Sequence, residues 1–158
     1  MNRKVKHKVI CGIFFAVYLV LLLYFLFFAE SFGRTNIPEG YQYNLMPFHE
    51  INRYLLNYEV LGWKLVFLNL IGNVLAFVPL GFLVPVFFDP KPRFLRMFAV
   101  SVLLSFGVEL IQLVFQVGSF DVDDILLNTL GSMIGYGIYR VARVYYRARF
   151  DMIYEEQE

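Results

Sequence analysis

Val9 to Phe28 is a run of twenty residues without a charge. A helix needs about 20 apolar residues to cross the hydrocarbon core of a bilayer. Three more apolar stretches follow, at about 65–88, 94–115 and 124–142. Four such stretches use most of a 158-residue chain. The residue make-up agrees: 59% is hydrophobic, with 18 Phe and 11 Tyr, above the apolar share of a soluble domain. The expected fold is all-α, a polytopic four-transmembrane-helix bundle that forms one domain over residues 1–158.

The distribution of charge orients that bundle. Arg3, Lys4, Lys6 and Lys8 precede the first run, Lys91, Arg93 and Arg96 sit at the second turn, and Arg140, Arg143, Arg147 and Arg149 close the fourth. Basic flanks stay on the cytoplasmic side, so both termini are expected inside, in a multi-pass protein. The segment 30–64 balances Arg34, Arg53 and Lys64 against Glu30, Glu39, Glu50 and Glu59, and the turn 118–124 carries Asp121, Asp123 and Asp124 with no basic residue. Both are expected on the outer face. The first run is longer than the roughly 7–15 apolar residues of a signal peptide and no small-residue cleavage site follows it, so it reads as a retained anchor. The lone Cys11 offers no disulfide within the chain and reads as a packing residue.

Pro38, Gly40 and Pro47 argue against a continuous helix in the outer segment. Tyr41, Tyr43, Phe48, Tyr54, Tyr58 and Trp63 give it the aromatic character of a headgroup layer, with a short amphipathic stretch near Ile51–Tyr58. In the second span Pro79 removes the bond to the Leu75 carbonyl and predicts a kink.

Polar residues gather at one end of this plan. Asn69 and Asn73 stand at i, i+4, and Ser105, Glu109 and Gln112 at i, i+4, i+7. Asp121, Asp124 and Asn128 stand at i, i+3, i+7, and Gly131 and Gly135 continue that face. Residues at these offsets share a helix face, and the small-xxx-small spacing permits close helix approach. A charged side chain at mid-membrane costs about 2.5–3.5 kcal/mol on insertion scales, which makes each one a functional candidate.

Each group also has a structural reading. Asp121 or Ser119 suits a helix cap with Asp124 in the first turn. Asn69 and Asn73 suit interhelical hydrogen bonds, or a bond to a protonated Glu109. Glu109, Asp121 and Asp124 offer oxygen ligands to a divalent cation such as Mg²⁺ or Ca²⁺, but the spacing matches no EF-hand loop and no cofactor is expected. Glu109 and Asp124 also suit an acid/base pair, with no nucleophile beside them. There is no Gly-rich phosphate loop and no nucleic-acid motif.

These residues resemble the VanZ-like family of membrane proteins over about Asn44 to Tyr139. Asn44-Leu-Met-Pro-Phe48 is similar to its first motif. Asn69-x-x-Gly-Asn73 with Phe77-x-Pro-x-Gly-Phe82 and Pro85 is similar to its second-span signature. Ser105-x-x-x-Glu109-x-x-Gln112 and the block from Gly118 through Asp124, Asn128, Gly131 and Gly135 are similar to its later motifs. Ser119 departs from the pattern, where many members carry Arg. The resemblance implies a bacterial cytoplasmic membrane protein of a Gram-positive organism, with a role in reduced susceptibility to teicoplanin-type glycopeptides.

Three functional readings remain open on the residues. In the first, Asn44, Asn69, Asn73, Glu109, Gln112, Asp121, Asp124 and Asn128 line a polar pocket without enzymatic activity. That pocket binds a membrane lipid head group, a lipid-linked wall precursor or a glycopeptide, under a lid formed by 30–64. In the second, the chain is an intramembrane enzyme acting on an envelope lipid through Glu109 and Asp124. In the third, it is an assembly scaffold.

Overall fold

The computed structural model describes the backbone of residues 3–28, 40–88 and 93–155, and the side chains of residues 9, 12–24, 40–88 and 93–146. The expectations placed on Glu30, Arg34, Pro38, Glu39 and Lys91, and on the side chains of Cys11, the N-terminal basic cluster, Arg147 and Arg149, lie outside the described residues.

The element order is α1 (Arg3–Phe28), β1 (Tyr43–Asn44), α2 (His49–Leu56), α3 (Tyr58–Leu61), α4 (Trp63–Phe87), α5 (Phe94–Phe115), β2 (Phe120–Asp121) and α6 (Val122–Glu155). α4 and α5 are long and apolar enough to cross a membrane, with mean hydropathy 2.2 and 2.1. In α1 the apolar stretch within the described side chains is Gly12–Tyr24. α5 has the expected bounds and α4 begins two residues early. α6 continues as one helix to Glu155, beyond the apolar stretch expected to end near Ala142, because the Arg, Ala and Met of its second half are good helix formers. Basic residues mark where a helix leaves lipid, not where it ends.

Along α5 and α6 the burial pattern is inverted relative to a water-soluble bundle. α5 buries Met97, Ser101, Ser105, Glu109 and Gln112 and exposes Leu103, Leu104, Leu110 and Ile111. α6 does the same, with Asn128, Thr129 and Ser132 inside and Leu126, Leu130, Ile134 and Ile138 outside. An apolar exterior over a polar interior is the arrangement that lipid, not water, rewards.

α6 is the central helix, packed most extensively on α4 and then on α5. Its contacts define the directions. Ser101 meets Ser132, Ser105 meets Asn128, and Glu109 meets Asp121, so α5 and α6 run antiparallel. Gly131 lies against Val74 and Gly135 against Val78, so α4 and α6 run parallel. A Cβ on Gly131 or Gly135 would stand 1.9 Å from a facing backbone carbonyl, and one on Gly81 1.8 Å from that of Ser132. Only glycine admits this approach, and Gly81 supplies from α4 what Gly131 and Gly135 supply from α6.

α1 packs on α4 in the antiparallel sense. Phe15 stacks on Phe87, while Leu22 joins Phe77 and Leu80 in one apolar cluster. The Tyr18 hydroxyl donates to the Ala76 carbonyl at 2.8 Å, in the turn preceding Pro79. A neighbouring side chain thus binds backbone in the stretch of α4 that the proline disturbs.

Candidate functional site

The polar residues expected to converge come together where α5 ends and α6 begins. α5 stops on Gln116, which adopts a left-handed conformation at φ 53°. The Gln116 amide returns to the Leu113 carbonyl and the Val117 amide to the Gln112 carbonyl, each at 3.1 Å, the paired bonds that close a helix C-terminus. The chain then reverses through Gly118 and Ser119 into β2. There Tyr43 and Asn44 pair in parallel with Phe120 and Asp121. This two-residue ladder brings the segment before α2 onto the acidic turn, and no sequence period announces it.

Glu109, 1% exposed, accepts the Asp121 amide proton on Oε2 at 3.0 Å. Asp121 in turn uses Oδ1 twice, for the Asn44 side-chain amide at 3.1 Å and the Asp123 backbone amide at 2.8 Å. The second bond makes Asp121 the cap of α6, one of the structural roles that the sequence allowed. Burial pushes the Asp121 carboxyl above the ordinary carboxylate range. The Asp123 amide and Asn44 oppose that rise, while the Asp123 and Glu50 carboxylates add to it.

Asp123 does something that the sequence did not suggest. Its carboxylate accepts the Phe48 amide, and those of Glu50 at 2.8 Å and Ile51 at 3.1 Å. Phe48 precedes α2 at φ 65° with no side-chain cap of its own. The orphan amides at the start of α2 are therefore satisfied from a distant part of the chain. α2 then places Tyr54 beside α6, where burial raises the phenol above its usual range; Arg53 opposes this, while Glu50 and Asp124 add to it. Arg53 also pairs with Glu50 and covers the Tyr54 ring.

The amides divide. Asn73 donates from α4 to Asp124 Oδ1. Asn128 donates from α6 to the Ser105 hydroxyl at 3.0 Å, leaving its own Oδ1 and the Thr129 hydroxyl buried without a partner. Asn69 bonds to the Leu65 carbonyl of its own helix at 2.8 Å, so it does not join the cluster through that bond. The expected pairing of Glu109 with Asn69 or Asn73 is corrected here, since these amides bond to Leu65 and Asp124. Gln112 is buried one turn beyond Glu109. Glu109, Asp121 and Asp124, the candidate metal ligands, are directed to different donors. Among the described residues no three His, Cys, Asp or Glu side chains are grouped to hold a metal ion.

Comparison with known proteins identifies relatives over most of the chain. A model of the VanZ/LLP1 family matches residues 15–143, a range that takes in the second half of α1 as well as the cluster. Protein VanZ of Enterococcus faecium is 31% identical over 126 residues, covering 78% of this chain and 70% of that protein. No solved structure matches. The chain belongs to the VanZ/LLP1 family.

Proposed function

We propose that this VanZ-family protein is a single-domain, multi-pass protein of the bacterial cytoplasmic membrane that binds a lipid head group or lipophilic ligand. Its spans are α1, α4, α5 and the first half of α6, with both termini cytoplasmic. The polar cluster sits at the extracytoplasmic end. The ligand there is a membrane lipid, a lipid-linked wall precursor or a glycopeptide, and its capture lowers susceptibility to teicoplanin-type drugs without catalysis.

The antiparallel and parallel contacts of α1, α4, α5 and α6 support this topology. Arg93 and Arg140 fall at the end opposite the acidic turn, as positive flanks require. The observation that carries the binding reading is the buried polar face itself. Ser101, Ser105, Glu109 and Gln112 face inward on a helix whose exterior is apolar, and Asn128 retains an unpartnered acceptor among them. A packed bundle does not need a carboxylate there, and an orphaned buried acceptor costs about 1–3 kcal/mol unless a donor reaches it. A ligand rich in hydroxyl or amino groups supplies such donors.

The test is expression of the chain in a susceptible Gram-positive host, with Glu109→Gln at matched membrane level. The wild type should raise the inhibitory concentration of teicoplanin, and Glu109→Gln should abolish the increase. A variant as protective as the wild type would overturn the role of the cluster. No protection from the wild type would overturn the glycopeptide reading and redirect the search to envelope lipids.

A further inference from the structure

The outer segment carries an apolar surface that the polar cluster does not use. At the end of α2 and through α3, Leu55, Leu56, Tyr58 and Val60 point away from the bundle, with Leu56 82% and Val60 88% exposed. α2 and α3 contain no buried residue. Ile51 and Tyr54, which face inward, are only partly covered. In water this corner would be a liability for aggregation.

The surface does not stop at the corner. Trp63, 69% exposed, opens α4, and Phe67, Ile71 and Leu75 follow at four-residue steps, all exposed. They form one stripe along α4, a helix of mean hydropathy 2.2. The corner is thus continuous with the face that α4 presents to lipid. Its chemistry suits the depth: Tyr58 and Trp63 are the ring types that settle between headgroups and acyl chains. Lys64 stands exposed beside Trp63, where a long cationic side chain reaches back to the headgroups. The corner is also held in place. Asp123 anchors the start of α2, and Gly62, at φ 80°, turns α3 directly into α4.

We propose that the corner formed by the end of α2, α3 and the first turn of α4 is embedded in the bilayer leaflet at that end. It acts as an interfacial foot whose partner is lipid, not another protein. A foot at that depth holds the acidic turn in the headgroup layer, so a lipid ligand reaches the cluster sideways from the leaflet. The inference rests on the membrane reading of α4, and its test separates the two.

In a Cys11→Ser background, single cysteines at Asn52, Val60 and Leu75 are labelled with an environment-sensitive fluorophore. The full chain is then reconstituted in phosphatidylglycerol–phosphatidylethanolamine vesicles. The label at 75 should be quenched by deep lipid-borne nitroxides and report α4 itself. The label at 60 should be quenched by shallow nitroxides and several-fold less by aqueous iodide than the label at 52. Trp63, the single tryptophan, should show the same shallow quenching without a label. A label at 60 as open to iodide as that at 52, with 75 still in lipid, would overturn the foot and leave the span intact. Water exposure at 75 would overturn both. Shielding of 60 from both quenchers, with crosslinking between copies at 60, would replace lipid with a second copy and overturn the proposal.

Discussion

Asp123 caps a helix that begins behind Phe48: its carboxylate accepts the amide of Phe48 from 75 residues away, and those of Glu50 and Ile51 with it. α6 therefore supplies the start of α2 with the acceptor that its own sequence lacks. Phe48 is held at φ 65°, a conformation that a bulky residue rarely adopts. The contact makes α2 part of the bundle, not a loop tethered at its ends.

Asp123→Ala should accordingly loosen α2 and leave the spans folded. Loss of a helix cap costs about 0.5–2 kcal/mol, and every 1.4 kcal/mol is about tenfold in an opening equilibrium. Hydrogen exchange of the amides of 49–56 should accelerate by up to this order, with α5 unchanged. Equal acceleration in α5 would mean that Asp123 supports the whole bundle and not the clamp alone.

The glycines of α6 make a sharper contrast. A Cβ on Gly135 meets the Val78 carbonyl, whereas one on Gly137, two residues on, meets nothing within 4 Å. Gly135→Ala should destabilise by about 1–3 kcal/mol through overpacking. Gly137→Ala should be neutral, or stabilising by up to about 1 kcal/mol from helix propensity. Thermal unfolding of the two variants in the same detergent decides the matter. Equal effects would mean that α4 and α6 do not approach as closely as their glycines indicate.

Much of this was readable in the residues, for identifiable reasons. The bounds of α5 and the inward set Ser105, Glu109 and Gln112 follow from apolar length and helical offsets, which are local. The tight contact of Gly131 and Gly135 was legible from their spacing. The role of Asp123 was not, because three acids in four residues look alike until the fold shows which one faces α2. The pairing of Tyr43 and Asn44 with Phe120 and Asp121 was hidden too, since a two-residue strand has no period to detect. The continuation of α6 beyond its apolar stretch is hidden for a similar reason, since its Arg- and Tyr-rich second half carries no clear apolar period.

Asp121 provides a pH handle outside the membrane-spanning helices. Burial raises its carboxyl above the ordinary carboxylate value of 3.8, so the folded state favours the neutral form. The sign follows from linkage. The stabilising contribution is fully present below the unfolded value and is lost as pH rises through the raised folded value. The unfolding temperature of the wild type, less that of Asp121→Asn, should therefore fall as pH rises across this window. Asparagine keeps an acceptor for the Asn44 and Asp123 amides and does not titrate. A difference that is flat or rises with pH would show that hydrogen bonding to the charged form outweighs burial.

The bond from Asn73 to Asp124 joins α4 to α6 and allows the structural and ligand-binding uses of Asp124 to be told apart. Asn73→Ala leaves the carboxylate without that donor. Asp124→Asn keeps a possible amide pair but removes the charge. The exchange of both residues, Asn73→Asp with Asp124→Asn, restores one amide and one carboxylate with their helices reversed. Interhelical hydrogen bonds in membranes average about 0.6 kcal/mol, so stability should change little in Asn73→Ala and Asp124→Asn, while the exchange, which moves the carboxylate onto α4, is compared at matched folded level. Protection against teicoplanin should be lost in Asp124→Asn and stay lost in the exchange, because the proposed ligand meets the charge at the start of α6 and not on α4. Recovery of protection in the exchange would show that the cluster needs only a bonded pair at that depth, which is a packing role.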